Sequence, residues 1–217
     1  MKLRVNRYSY PVTVLGFGRR VSLWVQGCEI GCKGCSSTDT WDENAGELVE
    51  PRDLADRFVD VIIGNDLDGI TLTGGEPSDQ SEALSELVTL VRDGLVARGR
   101  AECDVLLFTG RSGKASQRMA PELWAVVDAA VCGPYRHDLP SKQPLLASAN
   151  QELILVSDLG VERYESYTSV SGPHVQASLA HGHLSLIGLP QPGDLPRLRE
   201  ALEKRGVVLE GVSWQNS

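Results

Sequence analysis

The stretch VSLWVQGCEIGCKGC, residues 21–35, decides the fold and the site of this 217-residue chain. Its first six residues are mostly apolar and predict a buried strand. The rest of the stretch places Cys28, Cys32 and Cys35 in a C-x3-C-x2-C spacing. A fully ligated four-iron cluster takes four cysteines, so three local thiols predict a cluster with one iron left open to a ligand. The stretch therefore indicates a strand that runs into an iron–sulfur site.

Strand and helix patterns alternate on both sides of this stretch, from residue 1 to about residue 157. Apolar runs bounded by turn residues predict strands at 11–15, 21–26, 69–73, 104–108, 129–132 and 153–156. Apolar residues at helical spacing predict helices at 51–63, 79–98 and 121–128. Strands that alternate with helices pair in parallel through right-handed crossovers. The pattern predicts an α/β domain over 1–157, an open sheet or partial β/α barrel with its ligand at the carboxyl ends of the strands.

Residues 158–217 have a different texture and are predicted to form a small α+β appendage. Residues 175–189 predict two strands that meet at His181-Gly182-His183, a pattern typical of a solvated hairpin turn. Beyond the hairpin, the sequence predicts a helix that Asp194 caps and Gly206 ends, and a last strand at 207–214.

The composition is that of an ordinary soluble globular protein, with 41% hydrophobic and 23% charged residues. A formal net charge of −8 argues against a general nucleic-acid binder and against anchoring to an anionic membrane. The sequence contains no long uncharged apolar stretch that would span a bilayer. The basic start MKLRVNR is not followed by the apolar core of a secretory signal. We therefore expect a cytoplasmic protein.

Five cysteines, three of them within eight residues, make a poor disulfide framework and indicate a metal or iron–sulfur site. Gly27, Gly31 and Gly34 let the backbone wrap a cluster closely and leave amides free to point at its sulfurs. A structural zinc ion stays an alternative, which needs a fourth ligand from Cys103, Cys132 or a histidine. Unpaired cysteines next to apolar strands, as these two are, are more typical of small core residues.

A second glycine motif, Gly74-Gly75-Glu76-Pro77, follows the strand at 69–73. Together with the cysteine loop it resembles the radical S-adenosylmethionine (radical SAM) superfamily. Within that superfamily, the chain resembles the activating enzymes of anaerobic ribonucleotide reductase over about residues 10 to 156. The landmarks of this resemblance follow in order as WVQGC (24–28), CKGCSSTDTWD (32–42), LTGGEP (72–77), FTGR (108–111), DAAVCGPY (128–135) and SANQEL (148–153).

The resemblance implies a 4Fe–4S cluster on Cys28, Cys32 and Cys35 whose open iron chelates S-adenosylmethionine. An electron from the reduced cluster then breaks a C–S bond to give methionine and a 5′-deoxyadenosyl radical, which takes a hydrogen from the target. This chemistry belongs to the cofactor, and the protein supplies position and exclusion of solvent. A flavodoxin- or ferredoxin-type reductant is implied as the source of the electron.

The predicted cofactor-binding residues are Gly34, Cys35, Ser36, Trp41, Gly74, Gly75, Glu76, Pro77, Thr109 and Arg111. The paired glycines let the backbone approach the methionyl group, and the proline fixes the turn. The family commonly has an aromatic residue just after the last cysteine, where this chain has Ser36. Adenine stacking is therefore expected to fall to another residue, such as Trp41. Glu76 either accepts from the ligand's ammonium group or braces the loop, and Arg111 either pairs with the ligand's carboxylate or is solvated. Asn150 and Gln151 either bind ligand or cap a turn.

Three functions remain open from the sequence. The order of the landmarks favours an activase that places a glycyl radical on a partner protein. The appendage favours a stand-alone radical SAM enzyme acting on a peptide or small molecule, because it is long enough to cover the site or recruit a substrate. A non-enzymatic iron–sulfur or zinc protein is disfavoured, because it gives the GGEP motif no role.

Overall fold

The computed structural model describes residues 1–167, 175–180, 183–191 and 193–208. The strands are β1 Leu3–Val12, β2 Arg20–Val25, β3 Glu47–Val49, β4 Gly69–Gly74, β5 Asp104–Thr109, β6 Ala129–Cys132, β7 Glu152–Leu155, β8 Val175–Ala180 and β9 His183–Gly188. The first seven form one sheet in the order β3-β1-β2-β4-β5-β6-β7. The last two pair with each other as an antiparallel hairpin.

The centre of the large sheet is parallel. Strands β2, β4, β5 and β6 run in the same direction, whereas β1 is antiparallel to β2 and β3, and β7 is antiparallel to β6. The carboxyl ends of the four central strands therefore lie along one edge. The predicted α/β class is confirmed, and the sheet is open, with β3 and β7 as its two ends.

Helices connect these strands and cover the sheet. They are α1 Pro51–Asn65, α2 Ser81–Ala97, α3 Gly113–Met119, α4 Pro121–Trp124, α5 Asp158–Tyr164 and α6 Asp194–Glu203. Helices α1 and α2 bury apolar faces, including Phe58, Ile62, Leu84 and Val88, in one cluster with the sheet residues. Full burial of each such side chain contributes roughly 1.5–3 kcal/mol, so this layer holds the central strands in place.

Most of the predicted elements are confirmed, and their bounds differ in a few places. The first strand begins at Leu3 rather than at residue 11, and it pairs with both β2 and β3. Helix α3 was absent from the prediction, because its seven residues, GKASQRM, carry no apolar stripe. The strand predicted at 207–214 lies mostly outside the described residues, as does the hairpin turn at His181 and Gly182.

One predicted cap is wrong. The N-cap of α6 is Gly193 at φ +89°, and Asp194 is the first helical residue. The carboxylate of Asp194 instead accepts a hydrogen bond from Gln191 N–H at 2.8 Å, which closes the turn before the helix. Among the described helices, none is long and apolar enough to cross a membrane.

Candidate functional site

A cavity of about 660 Å³ lies at the carboxyl edge of the parallel strands. The segments that follow β2, β4, β5 and β6 contribute to it through Cys28, Gly75, Gly110 and Gly133 respectively. This is the edge at which the sequence predicts the ligand. A cavity of this volume accommodates a ligand the size of a drug or cofactor.

The three predicted cluster ligands, Cys28, Cys32 and Cys35, all line this cavity as half-buried free thiols. The loop that carries them is closed by Cys35 N–H, which donates to Cys32 O at 3.1 Å. Gly31 and Gly34 have φ of +60° and +77°, a region that side-chain-bearing residues rarely adopt. The glycines between the cysteines are therefore required by the turn that brings the thiols to one wall.

Backbone amides point at each of the three sulfurs. The donors are Ile30 and Gly31 to Cys28, Tyr135 to Cys32, and Ser37 to Cys35, the last at 3.4 Å. Hydrogen bonds to sulfur favour the thiolate form and tune the potential of a cluster. Of these donors, Ile30, Gly31 and Ser37 belong to the segment after β2 that carries the cysteines, and Tyr135 follows β6.

Burial raises the pKa of the Cys28 and Cys32 thiols above the ordinary value, while the amide hydrogen bonds act in the opposite direction. Desolvation makes an unneutralised thiolate costly in this cavity. A cationic metal centre removes that cost, because a coordinating thiol is deprotonated by the metal. The donor set therefore fits a metal-bound state of the loop.

The GGEP segment forms a shelf against the cysteine loop. Gly75 N–H donates to Val25 O at 2.9 Å, and Glu76 N–H donates to Gly27 O at 2.8 Å. A Cβ on Gly75 would lie 2.2 Å from Gly27 O, and Gly74 has φ +103°. Only glycine permits this backbone approach, so the motif is explained by the contact it makes with the cysteine loop.

The Glu76 carboxylate is buried and braces this shelf. It accepts hydrogen bonds from Ser78 N–H at 2.9 Å, from the Thr109 hydroxyl at 2.7 Å and from Gly110 N–H at 2.9 Å. The carboxylate thereby ties the end of β4 to the end of β5. Of the two roles that the sequence left open for Glu76, the geometry favours bracing, although the residue also lines the cavity.

The other predicted cofactor-binding residues divide into two groups. Those that line the cavity are Gly34, Ser36, Trp41, Gly74 and Thr109, together with Cys35, Gly75 and Glu76. Pro77, the last residue of the shelf, is buried and begins a short 3₁₀ turn. Arg111 pairs with Asp79, with 2.5 Å between Nη2 and Oδ1, and its Nε is buried without a partner among the described residues. The structure therefore brings all of the predicted residues except Pro77 and Arg111 to the cavity surface.

Asn150 and Gln151 hold the loop after β6. The Asn150 amide donates to Pro134 O at 2.8 Å, and the Gln151 amide donates to Gly133 O at 3.0 Å. The same Gln151 side chain accepts from Ser148 N–H, and Gln151 also lines the cavity. The turn-bracing role is thus present in the structure.

Several cavity residues were missed by reasoning from the sequence. The ring of Tyr135 lies 3.6 Å from the point where a Gly34 Cβ would be, and Ile30 packs against Gly110. Also on the cavity surface, the Arg7 guanidinium stacks on Trp24 at 4.8 Å from the ring centroid. An aromatic residue at the end of a parallel strand was the available signal for Tyr135. Arg7 gave no such signal, because it lies in the part of β1 before residue 11, which was not predicted as strand.

The two remaining cysteines are core residues, as the sequence suggested. Cys103 and Cys132 are 3% and 1% exposed and belong to the main hydrophobic cluster. Burial raises their pKa to about 11 and about 12, so they stay neutral thiols. Neither lines the cavity. Among the described residues, no three His, Cys, Asp or Glu side chains converge closely enough to hold a single metal ion.

Comparison with known proteins gives a family match. The family described as 4Fe-4S single cluster domain matches residues 14–154. The matched segment contains the cysteine loop, the GGEP shelf and the ends of the central strands.

Named relatives agree with this match. The anaerobic ribonucleoside-triphosphate reductase-activating protein of Enterobacteria phage T4 is 33% identical over 147 residues, which cover 66% of this chain and 89% of that protein. The Escherichia coli protein of the same name is 31% identical over 156 residues, which cover 65% of this chain and 92% of that protein. The pyruvate formate-lyase-activating enzyme of Listeria monocytogenes is 34% identical over 95 residues, which cover 41% of this chain and 37% of that protein.

Proposed function

The chain belongs to the 4Fe-4S single cluster domain family and to the activase group of radical SAM enzymes, and from this membership we propose that it generates a glycyl radical on a partner protein. Its cofactors are a 4Fe–4S cluster and S-adenosylmethionine. The relatives' names say that they activate anaerobic ribonucleotide reductase and pyruvate formate-lyase. A large enzyme of that kind is the partner class proposed here.

One observation carries the proposal. Three thiols, each with a backbone amide directed at its sulfur, line the same cavity as the GGEP shelf. The shelf is held against the cysteine loop by the hydrogen bond from Glu76 N–H to Gly27 O, which is 2.8 Å long. When bound there, the cluster and S-adenosylmethionine supply reductive cleavage to methionine and a 5′-deoxyadenosyl radical. We assign the cluster to Cys28, Cys32 and Cys35.

The chain's own residues bind and orient the cluster and S-adenosylmethionine. Gly74 and Gly75 expose backbone at the cavity surface, where bulkier residues would meet the cysteine loop. Thr109 and the buried Glu76 keep the ends of β4 and β5 in register through their 2.7 Å hydrogen bond. We propose that Gly34, Ser36 and Trp41 line the adenosyl side, that Pro77 fixes the shelf, and that Arg111 supports it through Asp79.

Further parts of the proposal concern the setting of the enzyme. We propose that the sheet curves as a partial barrel and that residues 1–157 form the catalytic domain, with 158–217 as an appendage. A flavodoxin- or ferredoxin-type protein is the proposed electron donor. A cytoplasmic location is proposed because a reducing compartment keeps the three clustered thiols from oxidising.

The test is anaerobic reconstitution of the full chain with iron and sulfide, followed by dithionite and S-adenosylmethionine. The proposal expects about four irons per chain and release of 5′-deoxyadenosine. Adding a purified glycyl-radical reductase should then yield a carbon-centred radical on that protein by electron paramagnetic resonance. A chain that holds one zinc ion, or that never releases 5′-deoxyadenosine, would refute the proposal.

A second candidate is a stand-alone radical SAM enzyme that modifies a peptide or small molecule. The observation in its favour is that residues beyond the family match line the same cavity, among them Leu186 and Ile187. Release of 5′-deoxyadenosine without any radical on added glycyl-radical proteins would select this candidate over the first.

A further inference from the structure

The appendage supplies one whole side of the cavity. Its contributions are Val175, residues 184–191, Gly193, Leu195 and Pro196. All of these lie after residue 154, where the family match ends. This side of the site is therefore an addition of this chain to the matched segment.

Among the described residues, the Gln176 side chain makes hydrogen bonds that join the hairpin β8–β9 to the end of β1. The Gln176 amide donates to Pro11 O at 2.8 Å, and its carbonyl oxygen accepts from Thr13 N–H at 3.0 Å. The two bonds engage the backbone on either side of Val12, at the end of β1. The Gln176 amide thus bonds to a main-chain carbonyl and a main-chain N–H at the end of β1, as a residue of a neighbouring strand would. These bonds set the position of the hairpin.

Beside Gln176, an apolar cluster seals the hairpin to the site. Ile187, which pairs with Gln176 across the hairpin, is 7% exposed and packs with Val12, Leu15 and Trp24. Leu15, Trp24 and Ile187 also line the cavity. The same contacts thus hold the hairpin and form the cavity surface, so the hairpin position and the cavity shape are coupled.

The two sides of the cavity differ in charge. Among the described residues, the ionisable side chains on its surface are the cysteines and Tyr8, Arg7, Asp39, Glu76 and Tyr135, all within the first 154 residues. The described appendage residues on its surface carry no charge. A charged group pressed against that wall would lose hydration without gaining a partner. The wall therefore favours an uncharged occupant.

Resting on the proposed radical function, we propose that Leu184–Gly188 forms the substrate-side wall of the site and selects an uncharged, extended polypeptide segment. Five residues of strand at about 3.3 Å each span roughly 16 Å, which matches a short extended peptide better than a compact small molecule. Leu186, half-buried on the cavity surface, is the specificity-determining residue of this wall. The hairpin positions this segment against the cysteine side, and Gln176 is the positioning residue that holds the hairpin.

The first experiment measures peptide binding to the full chain, reconstituted and with S-adenosylmethionine present. The probes are two acetylated, amidated pentapeptides, Ala-Val-Gly-Ala-Ala and the same peptide with Asp in place of Val. Their affinities are measured by calorimetry. The wild type should bind the neutral probe at least tenfold more tightly. Leu186→Lys should reverse this preference, because the new ammonium group pairs with the aspartate. Val96→Lys, which adds the same charge on the exposed face of α2, should leave the preference unchanged.

Each outcome decides the proposal. Failure of the wild type to bind either peptide, or an identical preference in Leu186→Lys and wild type, would overturn it. A preference of Leu186→Lys for the aspartate probe requires a folded, correctly placed hairpin. A misfolded variant would therefore not produce this result. The proposed function is judged separately, by release of 5′-deoxyadenosine from the wild type without any peptide.

A second experiment tests Gln176. Hydrogen exchange of the amides in 175–191 should be about tenfold faster in Gln176→Ala than in the wild type, and the neutral probe should bind correspondingly more weakly. Gln117→Ala, on the exposed surface of α3, is the matched control and should change neither. Faster exchange with unchanged probe affinity would show that the hairpin is not part of the site.

Discussion

At their amino ends, β2, β4 and β5 meet around a buried ion pair, whereas at their carboxyl ends the same strands surround an open cavity. Arg20 begins β2 and Asp104 begins β5, and both side chains are fully buried. The guanidinium contacts both carboxylate oxygens, at 2.9 and 2.8 Å. The two edges are separated by only six residues of strand, yet one is closed around this ion pair and the other is open.

At the closed edge, the side-chain polar atoms of Arg20 and Asp104 all have partners. Arg20 also donates to Phe17 O, Ile70 O and the Thr71 hydroxyl, and the Tyr164 hydroxyl donates to Asp104 at 2.7 Å. Burial alone would raise the pKa of Asp104, but the charge of Arg20 and the hydrogen bonds from Arg20, Tyr164 and Arg163 outweigh it and hold that pKa below its ordinary value. The two edges therefore differ in kind, with a buried ion pair at one end of the strands and the candidate site at the other.

Replacing a cysteine at the open edge should have the largest effect on chemistry and a small one on the fold. Cys28→Ala should lose the bound cluster and all 5′-deoxyadenosine release, because two ligating thiols remain. The half-buried thiol has few contacts to lose, so the free energy of unfolding of the metal-free chain should change by less than about 1 kcal/mol. Iron content, product release and urea unfolding measure the three quantities. A large loss of stability in the metal-free variant would contradict the division between the edges.

Breaking the ion pair at the closed edge should lower the free energy of unfolding strongly and leave cluster binding nearly unchanged. Arg20→Met leaves a buried carboxylate without its main partner, which typically costs about 3–5 kcal/mol. Arg98→Met, which removes an exposed pair with Asp60, should cost at most about 1 kcal/mol. Urea unfolding at pH 7 compares the two. The iron bound per folded Arg20→Met molecule should match the wild type, and a selective loss of iron would show that the edges are not independent.

The pH dependence of stability follows from the same pair. The pKa of Asp104 is lower in the folded chain than its ordinary value of 3.8, so its ionised form stabilises the fold above about pH 4. That contribution is lost as the pH falls through the still lower folded value. The wild type should therefore lose more unfolding free energy between pH 7 and pH 3 than Asp104→Asn does. Equal pH slopes in urea titrations of the two proteins would exclude this assignment.

A methyl group at the shelf should weaken the open edge. The Cβ of Gly75→Ala would lie 2.2 Å from Gly27 O, so either GGEP or the cysteine loop must move. Such overpacking costs about 1–3 kcal/mol, and we expect S-adenosylmethionine to bind roughly tenfold more weakly. Gly64→Ala is the matched control, because it meets no atom within 4 Å in α1 and alanine favours helix. Equal affinities in the two variants, measured by calorimetry, would show that the shelf is not the ligand's support.

The sequence predicted the elements that carry a local periodic signal. The apolar spacing in α1 and α2, the buried runs of β4 and β5, and the C-x3-C-x2-C and GGEP motifs are all readable within about twenty residues. The strand start at Leu3 was missed, although Leu3 and Val5 alternate with Arg4 and Asn6. That alternation covers four residues only, too few to distinguish a strand from chance.

The parts that could not be predicted depend on contacts between distant residues. Arg20 and Asp104 are 84 positions apart, and Gln176 is 163 positions from Thr13. Neither pair leaves a pattern within its own segment, because periodicity reports which face is buried and not what it is buried against. For the same reason the sequence suggested that the appendage is long enough to cover the site or recruit a substrate, but not that Ile187 packs against Trp24.

The smallest expected effect concerns which ring stacks on the adenine. Trp41 and Tyr135 both line the cavity, but only the Tyr135 ring lies against Gly34, the residue before Cys35. An aromatic contact is worth about 0.5–1.5 kcal/mol, so Tyr135→Leu should weaken S-adenosylmethionine binding about two- to tenfold. Tyr135→Phe should bind as the wild type does, and Trp41→Leu should lose less than Tyr135→Leu. The opposite order in calorimetric affinities would return the stacking role to Trp41.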